Sequence, residues 1–515
     1  MRSFTRSSPK ATAPARPRPS KKWFDSMPRE YFSIARSASL HAVRAGARIH
    51  VIGVCGVAMA QMACALAEAG YRVSGSDKDF YEPMGSLLKT SRVELLRGFR
   101  AENVPLDAEL VVIGNVVSYG HPEVEVVERR QLPYTLFPRL LFELLIEGRH
   151  SCVVSGTHGK TTTSAMLAHV LCRAGLAPGY FIGGASRNFS RSLLPGTGGF
   201  SVVEGDEYDS AFFAKVPKFS FYRPRTLIVT SVEYDHADIY PSLEKINEEF
   251  TRLVLSVPGN GWAICCTAGS NLAGLVQEWR GKSSCRIVTY GFSAEADYRI
   301  AVHSCRGLSQ TVRLEFEGSN TVEFQLPLAG EYNALNAAAV LAAAHSCGVA
   351  PARSAEFLSD FQGVKRRQEI RCDCGGVTLI EDFAHHPTAV RETLKAVREA
   401  FPGRRLLAAF EPRSNTSRRK VFQQDYVQAF SAADVVLLCD VPLRDGEARE
   451  QLLDVSVLAR EIGGAGPLCA VLPDAAAIER HLLDGLKSGD VVIVMSNGSF
   501  GGLIEKLMNS LSARS

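Results

Sequence analysis

An apolar run, a glycine-containing turn and a helical pattern follow one another without interruption in VVSGTHGKTTTSAML, residues 153–167. The β-branched run predicts a buried strand, and apolar side chains recur at helical spacing after Lys160. A strand that passes through a glycine turn into a helix is the repeating unit of α/β folds, and it brings the turn to the carboxyl edge of the sheet. This stretch therefore predicts a mostly parallel sheet with a ligand-binding loop at its edge.

Two other segments alternate strands and helices in a similar way. The first, RIHVIGVCGVAMAQMACALAEAGYRVSGSD at residues 48–77, places Met59, Met62, Ala63 and Leu66 on one helical face. The other begins near position 364 and alternates runs such as RLLAAFEP, DVVLLCDV and DVVIVM with helical stretches. We expect a three-domain α/β protein, with a Rossmann-like domain at 48–148, a central P-loop ATPase domain at 149–363 and a second Rossmann-like domain at 364–515.

The composition is that of an ordinary globular protein, with 46% hydrophobic and 22% charged residues among 515. The longest apolar runs have the length of a strand, so we expect no membrane span. Seven of the basic residues and no acidic ones lie in the first 24 positions, which leaves 51 basic and 54 acidic residues elsewhere. This segment could be a transit peptide or a nucleic-acid arm, but we favour a disordered basic leader at 1–47 and expect no nucleic-acid partner.

The thirteen cysteines form no C-x-x-C pair, so we expect reduced thiols, no zinc site and a cytoplasmic location.

The first glycine turn, GVCGVAM, holds Gly53 and Gly56 where a dinucleotide-binding loop has G-x-G-x-x-G. Cys55 and Ala58 replace the other glycines, so the match to a nicotinamide cofactor site is weak. Backbone N–H groups at the following helix would still attract a pyrophosphate, and Asp77 stands where an acid commonly meets a ribose hydroxyl. A turn without a ligand and an NAD-dependent oxidoreductase both remain open at this point.

The second glycine turn carries the groups of a phosphate-binding loop. Gly156 and Gly159 let successive N–H groups point at phosphate, Lys160 adds a positive charge and Thr161 offers Mg²⁺ a hydroxyl. The usual spacing G-x-x-x-x-G-K-[ST] would require glycine at Val154, so the loop differs from that of a simple P-loop ATPase.

Acidic residues follow two other strand-like runs. VVEGDEYDSAFF contains Glu204 among four acids within six residues, and LIVTSVEYDHADIY ends in Asp235, His236 and Asp238. A solvated acidic turn is the alternative, but carboxylates at strand ends suit a Mg-nucleotide site because Mg²⁺ prefers oxygen ligands.

Taken together, these residues resemble the Mur ligase family of ATP-dependent, amide-forming enzymes of peptidoglycan assembly. The family loop G-T-x-G-K-T-[ST] matches GTHGKTT and explains Val154. EGDEYD, DHADIY, GEYNALNAA, VKRRQE, EDFAHHPTAV and EPRSNTSR follow in the expected order, and the resemblance runs from about Ile49 to the end. Gly205, Tyr332 and Gln368 depart from the family pattern.

The resemblance implies ATP and Mg²⁺ as cofactors and assigns four sets of residues. The implied catalytic residues are Lys160, Glu204, His236, Arg367 and Asp382. The implied nucleotide-binding residues are Gly156, Thr157, His158, Gly159, Lys160, Thr161, Thr162, Asn333, Asn336, Arg367 and Asp382. The implied metal ligands are Thr161, Glu204 and His236. The implied substrate-binding residues are Gly53, Gly56, Met59, Asp77, Asn115, His385, Arg413, Ser414 and Asn415.

Within the family, GVCGVAM resembles the branch that recycles murein peptides, because the branch that adds L-alanine typically reads G-I-G-G-x-G-M. The recycling branch joins the tripeptide L-Ala-γ-D-Glu-meso-diaminopimelate to the lactyl carboxylate of UDP-N-acetylmuramate, and addition of L-alanine is the alternative. We expect a cytoplasmic enzyme, monomeric by preference, that acts on small molecules without nucleic acid or membrane. His385 and His386 are expected on opposite faces of a strand, with one facing the substrate cleft.

Overall fold

The computed structural model describes residues 31–235, 239–318, 320–444 and 447–513. Three α/β units follow one another along the chain, each built on its own sheet. This arrangement confirms the predicted fold class. Within the described residues, no helix combines the length and the apolar character that crossing a membrane requires.

The first sheet has five parallel strands in the order β3-β2-β1-β4-β5. Its strands are β1 (Arg48–Ile52), β2 (Arg72–Asp77), β3 (Glu94–Arg97), β4 (Leu110–Ile113) and β5 (Tyr134–Leu136). Its helices are α1 (Val57–Glu68), α2 (Met84–Lys89), α3 (Pro122–Arg129) and α4 (Phe137–Leu141). The strand order reverses between β1 and β4, and ligands of open α/β sheets bind in the crevice at such a reversal.

The middle sheet has ten strands in the order β17-β16-β15-β14-β13-β12-β6-β9-β7-β8. Its parallel part includes β6 (His150–Ser155), β7 (Gly179–Phe181), β9 (Phe200–Gly205), β12 (Thr226–Val229), β13 (Trp262–Cys266) and β14 (Arg286–Gly291). Beyond these lie β8 (Leu193–Leu194), β15 (Tyr298–Arg306), β16 (Ser309–Phe316) and β17 (Asn320–Leu326), while β10 (Asp209–Ala211) and β11 (Ala214–Pro217) form a separate hairpin.

The helices of the middle unit are α5 (Lys160–Arg173), α6 (Leu243–Leu255), α7 (Ser270–Lys282), α8 (Glu331–Ser346) and α9 (Pro351–Leu358). Helix α8 is alanine-rich and buried along most of its length, since its small side chains let it pack closely. The helix therefore holds the side chains of its first turns, such as Asn336, in a fixed position beside the phosphate loop.

The third sheet has six strands in the order β18-β19-β23-β20-β21-β22. They are β18 (Glu369–Cys374), β19 (Val377–Asp382), β20 (Leu406–Phe410), β21 (Val435–Cys439), β22 (Leu468–Leu472) and β23 (Val491–Met495), and only β18 runs antiparallel. The helices are α10 (Pro387–Ala400), α11 (Gln423–Ala429), α12 (Val455–Ala465), α13 (Ala475–Gly485) and α14 (Leu503–Ser512).

The segment before β1 corrects one expectation. Phe32 is only 5% exposed and packs against Tyr134 of β5 with ring centroids 4.9 Å apart, and Ser33 N donates to Tyr134 Oη at 2.7 Å. Burial of a large aromatic ring stabilises a folded segment through the hydrophobic effect. The prediction of a disordered leader at 1–47 is therefore wrong for residues 31–47, and residues 1–30 lie outside the described part of the chain.

Candidate active site

The phosphate loop lies between β6 and α5, and its two glycines are required by close contacts. Gly159 caps α5 with φ +81°, and a Cβ there would lie 2.7 Å from Asn336 Oδ1. A Cβ on Gly156 would lie 2.2 Å from Oγ1 of Thr230, which directly follows β12. Larger residues would push the loop away from these neighbours, so the glycines hold its backbone at the carboxyl edge of the sheet.

Lys160 is held by the loop itself and by the acidic segment after β9. Its Nζ donates to Gly156 O at 2.7 Å and pairs with Glu207 Oε2 at 2.8 Å. Burial alone would lower the pKa of Lys160, but the carboxylates of Glu207 and Asp206 raise it above the ordinary lysine value. The ammonium therefore stays charged at the loop, as a phosphate-binding lysine must.

Thr161 and Glu204 meet because β6 and β9 are neighbours in the sheet. Thr161 Oγ1 donates to Glu204 Oε1 at 3.0 Å, and Gly183 N donates to Glu204 Oε2 at 2.7 Å. Burial raises the pKa of Glu204, and the charge of Lys160 opposes that rise. A hydroxyl and a carboxylate beside the lysine are oxygen ligands of the kind that Mg²⁺ prefers. The third predicted ligand, His236, lies outside the described residues.

Asn333 and Asn336 approach the loop from α8. Asn333 Nδ2 donates to Ala329 O at 2.8 Å, and Asn336 Nδ2 donates to Asn333 Oδ1 at 3.3 Å. The amide of Asn336 also faces Gly159, where it leaves no room for a Cβ. The structure thus brings Asn336 to the phosphate loop and links it to Asn333 by a hydrogen bond.

Arg367 and Asp382 come from the third unit. Asp382, at the end of β19, accepts from Gln368 N and from Ala384 N, each at 2.7 Å. Burial raises the pKa of Asp382, and Arg367 opposes that effect, while the Arg367 guanidinium lies 4.7 Å from the centroid of the Phe383 ring. The arginine and the buried carboxyl form one cluster at the edge of the third sheet.

Contacts across the boundary join this cluster to the middle unit. Thr388 Oγ1 donates to Glu233 Oε2 at 2.7 Å, and His386 Nε2 lies 3.2 Å from Tyr234 O. His158 of the phosphate loop packs against His386, with ring centroids 4.7 Å apart and ring planes tilted by 44°. The third unit therefore touches both the phosphate loop and the strand end that precedes His236.

A polar cavity of about 260 Å³ opens beside these contacts. It is lined by Tyr208, His385, Arg413, Ser414, Asn415, Thr416 and Asn497. Arg413 is half exposed and lies along Gly498, where a Cβ would come within 2.4 Å of Arg413 Cδ. Four predicted substrate residues thus share one cavity, and a half-exposed guanidinium there can grip a carboxylate through two hydrogen bonds.

Family models match nearly the whole of the three units. The Mur ligase family catalytic domain matches residues 48–148, the Mur ligase middle domain matches 154–344, and the glutamate ligase domain of Mur ligases matches 366–498. The chain belongs to the Mur ligase family. This membership confirms the prediction of an ATP-dependent ligase.

Relatives of this Mur ligase include enzymes with two different names. An Escherichia coli UDP-N-acetylmuramate–L-alanyl-γ-D-glutamyl-meso-2,6-diaminoheptandioate ligase is 36% identical over 485 residues, which are 91% of this chain and 99% of the relative. A UDP-N-acetylmuramate–L-alanine ligase of Anaeromyxobacter dehalogenans is 34% identical, and the match covers 88% of this chain and 95% of the relative. A solved murein peptide ligase from Psychrobacter arcticus has a TM-score of 0.68 at 32% identity, covering 91% and 99% of the two chains.

The two histidines of EDFAHHPTAV lie differently from the expectation. Both follow β19 rather than lie on it: His385 lines the cavity, and His386 caps α10 by accepting from Thr388 N at 3.3 Å. Burial lowers the pKa of each to about 4. Since they are loop and cap residues, the expected alternation of strand faces is wrong here.

The first glycine turn of this Mur ligase lies at the β1–β4 switch point. Gly53 has φ +79°, Gly56 caps α1, and Cys55 N donates to Asp77 Oδ2 at 2.8 Å. Met59 is buried in α1, whereas Asn115 is exposed just after β4. These predicted substrate residues form a set of their own on the first sheet, and Asp77 also braces the turn.

Sequence reasoning missed several residues at the domain boundary. Gln368 is 5% exposed, and neither its side-chain oxygen nor its nitrogen has a hydrogen-bond partner among the described residues. Glu233 and Tyr208 were not predicted to contribute, although Tyr208 lies within EGDEYD and Glu233 lies two residues before DHADIY. Only the departure of Gln368 from the family pattern gave a signal, because the other contacts depend on how the third unit packs against the second.

Proposed function

We propose that this Mur ligase joins L-Ala-γ-D-Glu-meso-diaminopimelate to the lactyl carboxylate of UDP-N-acetylmuramate, with ATP converted to ADP and phosphate. The observation that carries the proposal is the cavity shared by His385, Arg413, Ser414 and Asn415. Several polar side chains and a half-exposed guanidinium suit a peptide with more than one carboxylate better than they suit a single alanine. The name of the Escherichia coli relative states the same pair of substrates.

The chemistry requires two negatively charged reactants to approach. Two unit charges about 4 Å apart at an effective dielectric of about 20 repel by roughly 4 kcal/mol, and a carboxylate beside a triphosphate meets several such terms. Lys160 would neutralise phosphate oxygens, and Thr161, Glu204 and His236 would hold Mg²⁺. When bound, that ion supplies further positive charge at the γ-phosphate.

The proposed reaction has two steps, formation of an acyl phosphate and formation of the amide. A lactyl carboxylate oxygen attacks the γ-phosphorus, and the bond from that phosphorus to ADP breaks, which gives an acyl phosphate. The peptide amine then attacks the acyl carbon and loses a proton, and phosphate leaves with the electrons of the C–O bond. Arg367 and Asp382 would hold the nucleotide from the third unit, so the boundary must be closed during transfer.

Each unit has a proposed role in this reaction. Residues 48–148 would bind the UDP-sugar through Gly53, Gly56, Met59, Asp77 and Asn115, because these lie around the switch point of the first sheet. Residues 149–363 would bind ATP with Thr157, His158, Thr162 and both asparagines, and residues 364–515 would bind the peptide. We also infer a cytoplasmic location, because free thiols are typical of that compartment. We further propose a monomer that acts on small molecules without nucleic acid or membrane.

The test measures phosphate release from ATP, Mg²⁺ and UDP-N-acetylmuramate with either the tripeptide or L-alanine. Release with the tripeptide and formation of the corresponding UDP-linked product are expected. Release only with L-alanine would assign the enzyme to the other branch, and release with neither amine would overturn the ligase. A Lys160→Ala variant that keeps full activity would contradict the phosphate-loop role, and Lys215→Ala serves as a matched control because Lys215 is a solvent-exposed lysine.

A further inference from the structure

Two thiols and an imidazole meet at the end of the middle sheet that lies away from the phosphate loop. His150 and Cys152 are two residues apart on β6 and so project to one face, and Cys347 caps the carboxyl end of α8. Cys152 Sγ lies 3.5 Å from Cys347 Sγ. One potential ligand atom from each of the three residues lies within 4.8 Å of the others.

We propose that His150, Cys152 and Cys347 form a zinc-binding site. Thiolates bound to Zn²⁺ at about 2.3 Å in tetrahedral geometry stand roughly 3.8 Å apart, close to the separation seen here. A disulfide would bring the sulfurs to about 2.0 Å, well inside that separation. Two sulfurs and one nitrogen are ligands that Zn²⁺ prefers, and the fourth position would be left to water.

The surroundings suit ligation. His150 Nε2 lies 2.8 Å from Thr226 Oγ1, which lies 2.8 Å from Ser346 Oγ, so hydroxyl groups fix the ring. Burial, helped by the charge of Arg225, lowers the pKa of His150 to about 4, which keeps the imidazole neutral. The hydrogen bond with Cys152 lowers the pKa of the Cys347 thiol, and Arg225 acts in the same direction. The same contact and burial raise the pKa of the Cys152 thiol, so the cluster offers a neutral imidazole and one thiol, Cys347, that ionises more readily than the other.

The position gives such a site a structural consequence. Zinc would tie the carboxyl end of α8 to the start of β6, while the amino end of α8 carries Asn333 and Asn336 beside the phosphate loop. Because an ion that binds only the folded chain stabilises it, zinc would raise the melting temperature without touching the reacting groups. Zinc binding at this end of the sheet would not depend on which amine the enzyme uses.

The experiment titrates Zn²⁺ into the reduced, chelator-treated full-length protein and measures binding by competition with a chromophoric chelator. One ion per chain is expected, with a raised melting temperature, and Co²⁺ in place of Zn²⁺ should give a thiolate-to-cobalt absorption band. Cys347→Ser should weaken binding at least 10-fold and abolish that band. Cys172→Ser is the matched control, because Cys172 is also partly exposed but lies on α5.

Equal zinc affinity in the parent protein and Cys347→Ser, or no bound zinc in either, would overturn the proposal. A Cys152–Cys347 disulfide in protein prepared without reductant, together with no zinc binding after reduction, would identify a redox pair instead. If Cys347→Ser does not fold, His150→Gln provides the same test, since it removes the nitrogen ligand and keeps both thiols.

Discussion

Lys160 Nζ and Glu207 Oε2 form an ion pair at 2.8 Å, with the two side chains only 12% and 5% exposed. The pair links the phosphate loop to the acidic segment after β9. A buried ion pair often stabilises a protein no more than an apolar contact would. Removal of one partner is nevertheless strongly destabilising, because the other charge stays buried without compensation. Glu207 therefore fixes the position of the Lys160 ammonium at the phosphate loop.

We expect Glu207→Gln to lower the free energy of unfolding by about 3 kcal/mol, because the buried ammonium of Lys160 loses the carboxylate that pairs with it directly. The phosphate groups of a bound nucleotide would supply Lys160 with negative charge again. Mg²⁺ and a non-hydrolysable ATP analogue should therefore raise the melting temperature more in the variant than in the parent enzyme. Asp209→Asn is the matched control, since the carboxylate of Asp209 pairs with the exposed Lys215. Equal ligand-induced shifts in all three proteins would contradict the coupling between Glu207 and the nucleotide.

The carboxylate of Glu204 should set the requirement for Mg²⁺. Glu204→Gln keeps the size of the side chain and its contact with Thr161 but removes the charged ligand oxygen. We expect the Mg²⁺ concentration for half-maximal phosphate release to rise at least 10-fold. The melting temperature should change little, because burial already disfavours the charged carboxyl. An unchanged Mg²⁺ dependence, with Asp209→Asn measured alongside, would remove Glu204 from the metal site.

Features that depend on neighbouring residues were predictable from the sequence. The loop before α5 follows from β6 and its glycines, and Glu204 reaches Thr161 because parallel strands deliver their carboxyl ends to one edge. The packing of Phe32 on β5 was not predictable, because the basic, proline-rich start of the chain indicated disorder for the residues that follow it. The basic composition belongs to positions 1–24 and carries little information about residues 31–47.

Contacts between distant segments were beyond sequence reasoning. Thr388 and Glu233 are 155 residues apart, and Cys152 and Cys347 are 195 apart. Spacing rules find metal ligands only where the chain places them close together. His385 and His386 were misplaced for a related reason, because β19 ends at Asp382 and the turn into α10 begins earlier than the apolar pattern indicates.

The unpaired amide of Gln368 should contribute to nucleotide binding. A buried polar group without a hydrogen bond costs about 1–3 kcal/mol, and this one lies next to Arg367, with its own N–H bonded to Asp382. Gln368→Met should therefore raise the melting temperature without nucleotide and raise the KM for ATP several-fold. Gln362→Met, at an exposed position, should do neither. A variant with an unchanged KM would show that the amide serves no ligand.

His386 should make stability depend on pH. Burial, with the charge of His158, lowers its pKa to about 4, although Asp235 and Glu233 oppose the shift. Between pH 6.5 and 4 this histidine is therefore protonated in the unfolded chain but neutral in the folded chain. The free energy of unfolding falls as the pH drops through this range. At about 1.4 kcal/mol per pKa unit, His386 accounts for a loss on the order of 3 kcal/mol by pH 4.

His386→Asn isolates this effect, because asparagine still caps α10 but does not titrate. Denaturant unfolding of the variant should show a smaller loss of stability between pH 6.5 and 4 than the parent enzyme shows. His385 has a similarly lowered pKa and should keep part of the dependence. His481→Asn replaces an exposed histidine and should leave the slope unchanged. Identical slopes in the parent and His386→Asn would mean that His386 is protonated alike in the folded and unfolded chains.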